Sequence, residues 1–338
     1  MMERCRLAVL IFSTCWTLHA GVAYAQEGPA MGQDRPATLE KALEDKPAVR
    51  SEKRPYTLTV GVREWISQGR SAHNIGDSSV NVRSELTWRG MNSPITEING
   101  DLVVERFLLN MALGYGTIGN GTLRDQDWDG SNRTLKFSET LSQSDHGSVL
   151  IFSVTPGVRA FEWTAPDNPT LGGIDVLLGY QYWREQYAAY GVQNIFPGGP
   201  TTSSSVNALT QTNHWHSLRF GARATVPLLS FLSFKASAFY IPVNYYRQDD
   251  VHHLRSDLQQ NPSFLSTASG GNGVQLEGSV AVRVWRQLTA EAGYRYWDIK
   301  SGQGDVTQYN ANGTISVGQH NVDNTRRQGV FFGINWIF

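Results

Sequence analysis

The chain has 338 residues with 29 basic and 30 acidic side chains, a formal net charge of −1, and 40% hydrophobic residues. There is no basic excess of the kind a nucleic-acid binder carries, and no uninterrupted apolar run of the ~18 residues that would read as a transmembrane helix. The two cysteines, Cys5 and Cys15, fall in the first few residues, so neither a disulfide framework nor a thiol nucleophile is expected in the body of the chain.

Residues 1–25 have the three parts of a secretory signal peptide: Arg4 and Arg6, the apolar run from Leu7 to Phe12, and the small-x-small site Ala23-Tyr24-Ala25. Residues 26–54, rich in Pro, Gln, Glu, Lys and Arg, have the composition of a flexible periplasmic leader. The body of the protein is expected over residues 55–338.

From Tyr56 the sequence alternates. Tyr56, Leu58, Val60 and Val62 share one face, with Thr57, Thr59, Gly61 and Arg63 on the other. The same period recurs in Phe107, Leu109, Met111, Leu113 and Tyr115, in Val274, Leu276, Val280 and Val282, and in Leu288, Ala290, Ala292 and Tyr294, whose opposite faces carry Glu277, Arg283, Glu291 and Arg295. Side chains that alternate in this way make a sheet wet on one side, and in an exported chain a barrel lumen is the simplest wet side. Glu277, Arg283, Glu291 and Arg295 are expected to form lumenal ion pairs.

Connections alternate in length. Tight turns are predicted near Val104–Arg106, Ala165–Asn168, Leu229–Ser230 and Arg286–Gln287, and long polar loops over 67–78, 119–146, 191–211, 249–272 and 300–325. Short periplasmic turns alternating with long outer loops indicate an outer-membrane barrel. Five long loops imply ten strands, placed near 56–66, 79–104, 107–118, 147–160, 171–190, 212–227, 231–248, 273–286, 288–299 and 326–338. The expected fold is therefore all-β, a ten-stranded antiparallel transmembrane β-barrel with long extracellular loops, in the cell outer membrane. The 10 Trp and 13 Tyr suffice to furnish aromatic girdles.

The densest candidate chemistry is Asp125-Gln126-Asp127-Trp128-Asp129-Gly130. Its start fits a calcium loop, but the twelfth position is Lys136 where such a loop needs a bidentate glutamate. Asp250 and His252 lie at i and i+2, hence on one strand face, and a carboxylate beside an imidazole makes His252 a candidate general base. In a ten-strand ring the rims after strands three and seven lie opposite each other. Two carboxylates can then face an Asp-His pair across the mouth, an arrangement suited to water-mediated hydrolysis. His214 and His216 are a weaker candidate metal pair with no third ligand, and His253 faces away from His252. No metal or cofactor is expected.

The run Ser84-Glu85-Leu86-Thr87-Trp88-Arg89, the strand from Leu109 to Gly119, Asp125-Gln126-Asp127-Trp128, Asp250-x-His252 and the closing strand resemble the omptin family of outer-membrane proteases, in the same order from about Leu58 to Phe338. The resemblance implies an aspartyl-type endopeptidase with a water nucleophile and a catalytic quartet of Asp125, Asp127, Asp250 and His252. The chain departs from the family where an acidic pocket receives arginine. The aspartate two positions before Asp250 corresponds to Gln248, and the glutamate expected at the top of the first strand aligns near Gly69 or Ser71. Glu64 and Asp249 are the nearby carboxylates that would substitute, so Gln248, Asp249 and Glu64 are the candidate substrate-binding residues. The resemblance further implies lipopolysaccharide on the outer wall, with Tyr180 and Arg184 as candidate contacts and the lipid as a candidate activator. The expected partners are a peptide or protein substrate, lipid and lipopolysaccharide, with no nucleic acid, and the barrel is expected to be a monomer. A non-enzymatic barrel acting in adhesion, ligand binding or structure is the alternative.

Overall fold

The computed structural model describes residues 56–164, 171–197, 199 and 201–338. The expected signal peptide, the leader and the turn near Ala165–Asn168 lie outside the described residues. The strands are β1 (Tyr56–Gly76), β2 (Ser84–Val104), β3 (Phe107–Thr117), β4 (Asn120–Gly130), β5 (Thr134–Thr164), β6 (Leu171–Asn194), β7 (Asn207–Leu229), β8 (Leu232–His252), β9 (Phe264–Arg283), β10 (Leu288–Ser301), β11 (Gly304–Tyr309) and β12 (Ile315–Ile337). A 3-10 turn, Ser131–Arg133, links β4 to β5.

Every neighbouring pair is antiparallel, and β1 pairs with both β2 and β12, which closes the sheet. The ring has ten places although the described residues form twelve strands. β3 and β4 both lie between β2 and β5, and β10 and β11 both lie between β9 and β12. In each case one barrel strand is interrupted above the membrane and resumes. No helix of the described residues is long and apolar enough to cross a bilayer.

Alternation decides which side of the wall each residue faces. Val60, Val62, Ile66, Ile98, Phe107, Met111, Leu113, Leu178, Phe220, Leu276, Phe332 and Ile334 are exposed on the outside, a band that hydrocarbon covers. Tight turns close one end: β2 gives way to β3 through Glu105 and Arg106, and β7 to β8 through Ser230 and Phe231. At the other end β1, β2, β5, β6, β8 and β12, each of 21 to 31 residues, run well beyond the 9–11 residues that cross a bilayer. This corrects the expected loops. Most of 67–78, 119–146 and 300–325 is strand, and the barrel wall continues into the medium.

The lumen is filled. Toward the periplasmic end, Arg63, Arg295 and Lys235 interleave with Glu97, Glu277 and Glu291, and Arg223 bonds its cross-strand neighbour Asp175 and, across the barrel, Asp101. The expected lumenal pairing of Glu277, Glu291 and Arg295 is present. Above lies an aromatic layer that takes five of the tryptophans into the lumen, while Trp163, Trp285 and Trp336 are exposed. Trp65, Trp88, Trp183, Trp215 and Trp297 are buried inside, with Trp65 and Trp183 ring centroids 5.1 and 5.6 Å from that of Trp297 and Trp215 4.4 Å from Tyr246. Each sits on the face opposite its strand's lipid-facing residues, as Trp65 does relative to Val60 and Val62. Arg327 and Glu185, both fully buried, join β12 to β6 through the lumen at 2.6 Å. Gly69 leaves the room that the Arg327 guanidinium occupies, since a Cβ there would come within 2.5 Å of its Nη2.

Candidate active site at the outer mouth

Asp125 and Asp127 lie on β4, a strand and not a loop tip. Their side chains share the inward face with buried Leu123, while Arg124 and Gln126 face outward beside Glu139. Arg124 on β4 bonds Glu139 on β5 and ties the hairpin together, and Lys136 bonds the same carboxylate from within β5. The hairpin keeps its curl because Asn132, Arg133 and Leu135 take positive φ, and Trp128 is buried beneath Arg133 and Lys136 at cation–π distances of 6.0 and 5.8 Å. The backbone between β4 and β2 pairs Asp125 with Leu86 and Asp127 with Ser84. Ser84 and Ser138 hydrogen-bond the Asp127 carboxylate.

Asp250 and His252 close β8. The chain beyond His252 folds back over itself: the His252 backbone N–H donates to Ser263 Oγ at 3.0 Å, and Gln260 Nε2 donates to the His252 carbonyl at 3.1 Å. The ring packs edge-on against Phe264, 5.1 Å between centroids. His252 Nε2 lies 3.5 Å from Asp250 Oδ2. Asp250 is buried, and its Oδ1 has no protein partner, as is also true of Asp125 Oδ1.

The two pairs meet across the mouth. All four groups lie beyond the apolar belt, and each pair feels the other's charge. Burial, with the charges of Asp127 and Asp250 added and that of His252 opposing, pushes the Asp125 carboxyl up to about 7. Asp127 is raised as well, chiefly by burial, against the bonds from Ser84 and Ser138. Burial pulls the His252 imidazole down, but the charge and hydrogen bond of Asp250 together with the charge of Asp125 overcome it, and its pKa is raised. Two carboxyls with raised affinity for protons therefore face an imidazole with raised basicity, which is the separation of roles that acid–base chemistry needs.

The other sequence-derived candidates divide by strand parity. Gln248 faces inward, directly below Asp250 and almost fully buried. Asp249 faces outward and bonds Arg247 and His214 on the outer wall, so it does not reach the mouth. Glu64 shares the outer face of Val60 and Val62, accepts a bond from Thr96 Oγ1 at 2.7 Å, and lies in the belt below the mouth. Both were readable as outward-facing from the alternation of their own strands. Tyr180 and Arg184 stand on the outer wall, Tyr180 with its hydroxyl 2.7 Å from His216 Nδ1 and Arg184 donating to Ser148 Oγ at 3.1 Å. His214 bonds Tyr182 instead of forming a metal pair with His216. His253 points away from His252, to Thr210.

One polar cluster has no counterpart in the sequence reading. Asp323, fully buried on β12, receives Ser71, Thr325 and, from β8 on the far side of the lumen, the Tyr246 hydroxyl at 3.0 Å. His73 and His320 stack 5.0 Å apart beside it. These residues form a floor beneath the mouth. Only their inward parity, shared with Trp65, hinted at it.

A family model for the Protochlamydia outer membrane protein (Pom) matches residues 58–335. The chain belongs to the Pom family of outer-membrane proteins. This Pom barrel resembles the crystal structure of the outer membrane protease OmpT from Escherichia coli with a TM-score of 0.70 at 15% identity, over 84% of this chain and 98% of that one. At that identity the likeness establishes the fold, a barrel of OmpT type, and the protein is placed in the outer membrane. The transport unit of the autotransporter AIDA-I from Escherichia coli aligns over 88% of this chain and 95% of that one at 13% identity and a TM-score of 0.30, and a Pseudomonas aeruginosa FadL homologue over 84% and 90% at 8% identity and 0.25. At these scores neither bears on the Pom barrel's function. No curated protein sequence matches the chain.

Proposed function

We propose that this outer-membrane barrel is an endopeptidase that hydrolyses peptide bonds at its outer mouth. The observation that carries the reading is the convergence of Asp125 and Asp127 on β4 with Asp250 and His252 on β8, each pair altering the other's proton affinity. Nothing in barrel stability calls for it, since like charges and buried carboxyls in one place cost free energy.

In this reading Asp250 holds His252 through Nε2, leaving Nδ1 as the base. A water between the pairs gives a proton to His252 as its oxygen attacks the peptide carbonyl carbon. The oxyanion is stabilised by whichever of Asp125 and Asp127 keeps its proton, because a neutral carboxyl can donate a hydrogen bond. Collapse breaks the C–N bond, and the proton on His252 passes to the departing amine. Positioning and electrostatics supply the rate, and water supplies the nucleophile. Lipopolysaccharide at Tyr180 and Arg184 would tighten the wall of β6 from outside, and Arg184 is the cation to pair its phosphate.

The test is cleavage of a mixed peptide library by the refolded barrel, with and without lipopolysaccharide, for wild type, His252→Ala and Asp125→Ala. Cleavage lost in both folded variants supports the reading, and no cleavage by folded wild type removes it. A second reading, a binding or adhesion barrel, draws on the apolar side chains at the outer tips: Leu135, Phe137, Leu254, Ile315 and Val317 are exposed beyond the belt. Such a protein would bind its partner equally well with His252→Ala.

A further inference from the structure

Arg219 stands on the inward face of β7, below Trp215 and the aromatic layer, and is buried. Its Nη1 donates to Gln275 Oε1 and its Nη2 to Thr155 Oγ1, each at 2.8 Å, and the guanidinium lies 4.5 Å from the centroid of the Phe239 ring. These partners are all neutral. Its Nε is buried with no partner. The carboxylates whose charge reaches Arg219 are Glu97 and Glu277, and both are bonded by Arg295, whose own charge opposes it.

The charges at this level do not balance. Arg63, Arg295 and Lys235 are shared among Glu97, Glu277 and Glu291, so Arg219 is a fourth cation beside three carboxylates. The layer beneath closes on itself, with Arg159 and Arg223 against Asp101 and Asp175. Above, Glu185 is taken by Arg327. A buried guanidinium without an anion is costly, and amide and hydroxyl oxygens bring only partial charge.

The hydrogen bonds leading away from Arg219 end on a second free donor. Because Gln275 Oε1 accepts from Arg219, its Nε2 is the end that donates to Gln181 Oε1. Gln181 Nε2 is left buried with no partner. The cross-strand neighbours of Gln181 are Ser153 and Ser217, small side chains that leave space beside it. One inward step higher, Trp183 and Trp215 pair across β6 and β7, and their indole N–H groups lack partners as well. Asn244 Oδ1 on β8, across from Ser217, is an unpartnered acceptor but a neutral one, and it supplies no counter-charge. Buried polar groups are nearly always satisfied. Free donors beside one uncompensated positive charge select a small monovalent anion. Phosphate or sulfate would bring too much charge for one cation, and a peptide carboxylate would have to pass the packed layer of Trp65, Trp183 and Trp297.

We propose that Arg219 and Gln181 bind a halide ion of chloride size, held in the lumen beneath the aromatic layer. The ion supplies the missing counter-charge of the barrel's plug. The site stands independently of the endopeptidase reading.

The test is crystallography of the full barrel refolded in sodium bromide, with data collected at the bromine absorption edge. An anomalous peak is expected within hydrogen-bonding reach of Arg219 Nε and Gln181 Nε2, and the same map of Arg219→Gln should lack it. The melting temperature in detergent should be higher by about 3 °C or more in saturating sodium chloride than in sodium gluconate of equal ionic strength. Arg219→Gln and Gln181→Leu should each lose that ion-specific rise. Lys235→Gln, which removes a cation that Glu291 already pairs, should keep it. If Arg219→Gln does not fold, Gln181→Leu carries the comparison beside the wild-type map. Bromide found only elsewhere on folded wild type, or a melting temperature indifferent to the exchange of chloride for gluconate, would overturn the site.

Discussion

His252 Nε2 and Asp250 Oδ2 lie 3.5 Å apart on adjacent inward positions of β8, and it is Asp250 that turns the net effect of burial on His252 from depressed to raised basicity. Asp250→Asn is therefore expected to lower kcat on the order of a thousandfold with little change in KM, as for other orienting carboxylates. The acid limb of the pH–rate profile should also move to lower pH in that variant, because the imidazole loses the charge that raises it. An acid limb that stays in place would show that Asp250 does not govern His252.

Asp125 gives a stability prediction with a definite sign. Its carboxyl titrates near 3.8 in an unfolded chain and at about 7 in the fold, so between these values the folded state holds a proton that the unfolded state has released. The stability contributed by that proton is fully present below pH 3.8 and is lost as pH rises through 7. Asp125→Asn has no such dependence. Its stability relative to wild type, from urea unfolding in vesicles, should improve by up to about 4 kcal/mol between pH 4 and pH 8. A difference that does not vary with pH would refute the assignment.

The Glu185–Arg327 pair crosses the lumen with both side chains fully buried. Glu185→Gln should cost about 3–5 kcal/mol, since it leaves a guanidinium buried without its counter-charge. Replacing both partners, Glu185→Gln with Arg327→Met, should cost less than that single change. Equal losses in the two variants would mean the pair is solvated in a way its burial does not reflect.

Two exposed apolar residues of β12 should behave oppositely. Phe332 is 57% exposed within the lipid-facing band and Ile315 is 60% exposed at the outer tip. Phe332→Arg is expected to cost about 2–4 kcal/mol of folding free energy in bilayers, the cost of a cation near the midplane, and Ile315→Arg almost nothing. Similar losses at both positions would put the tip in the membrane.

Within the bilayer the fold was legible because lipid enforces it: one face must be apolar, so Val60, Val62, Leu113 and Phe332 announce both their strands and their orientation. Above the bilayer the same strands disappeared from view. The outer face of β4 or of the upper half of β1 meets water, so Arg70, Arg124 and Gln126 replace hydrocarbon and the period-two signal ends, while the backbone ladder continues unbroken. For that reason 67–78 and 119–146 looked like loops. Asp249 and Glu64 failed as pocket residues by parity alone, a signal that was present and outweighed by their proximity in sequence to Asp250 and to the first strand's top.

The sequence by itself determined the class of the protein, the division of each strand into a lipid face and a lumen face, and the pairing of Asp250 with His252, because each of these follows from the two-residue period of one strand. Ring closure decided everything that needs two strands far apart in the chain: that Asp125 on β4 reaches the field of His252 on β8, that Tyr246 crosses to Asp323, that Arg327 crosses to Glu185, and that Arg219 on β7 reaches Gln275 on β9. Those relationships depend on register and curvature, which hydrogen-bond geometry fixes between strands and which no local pattern within a strand records.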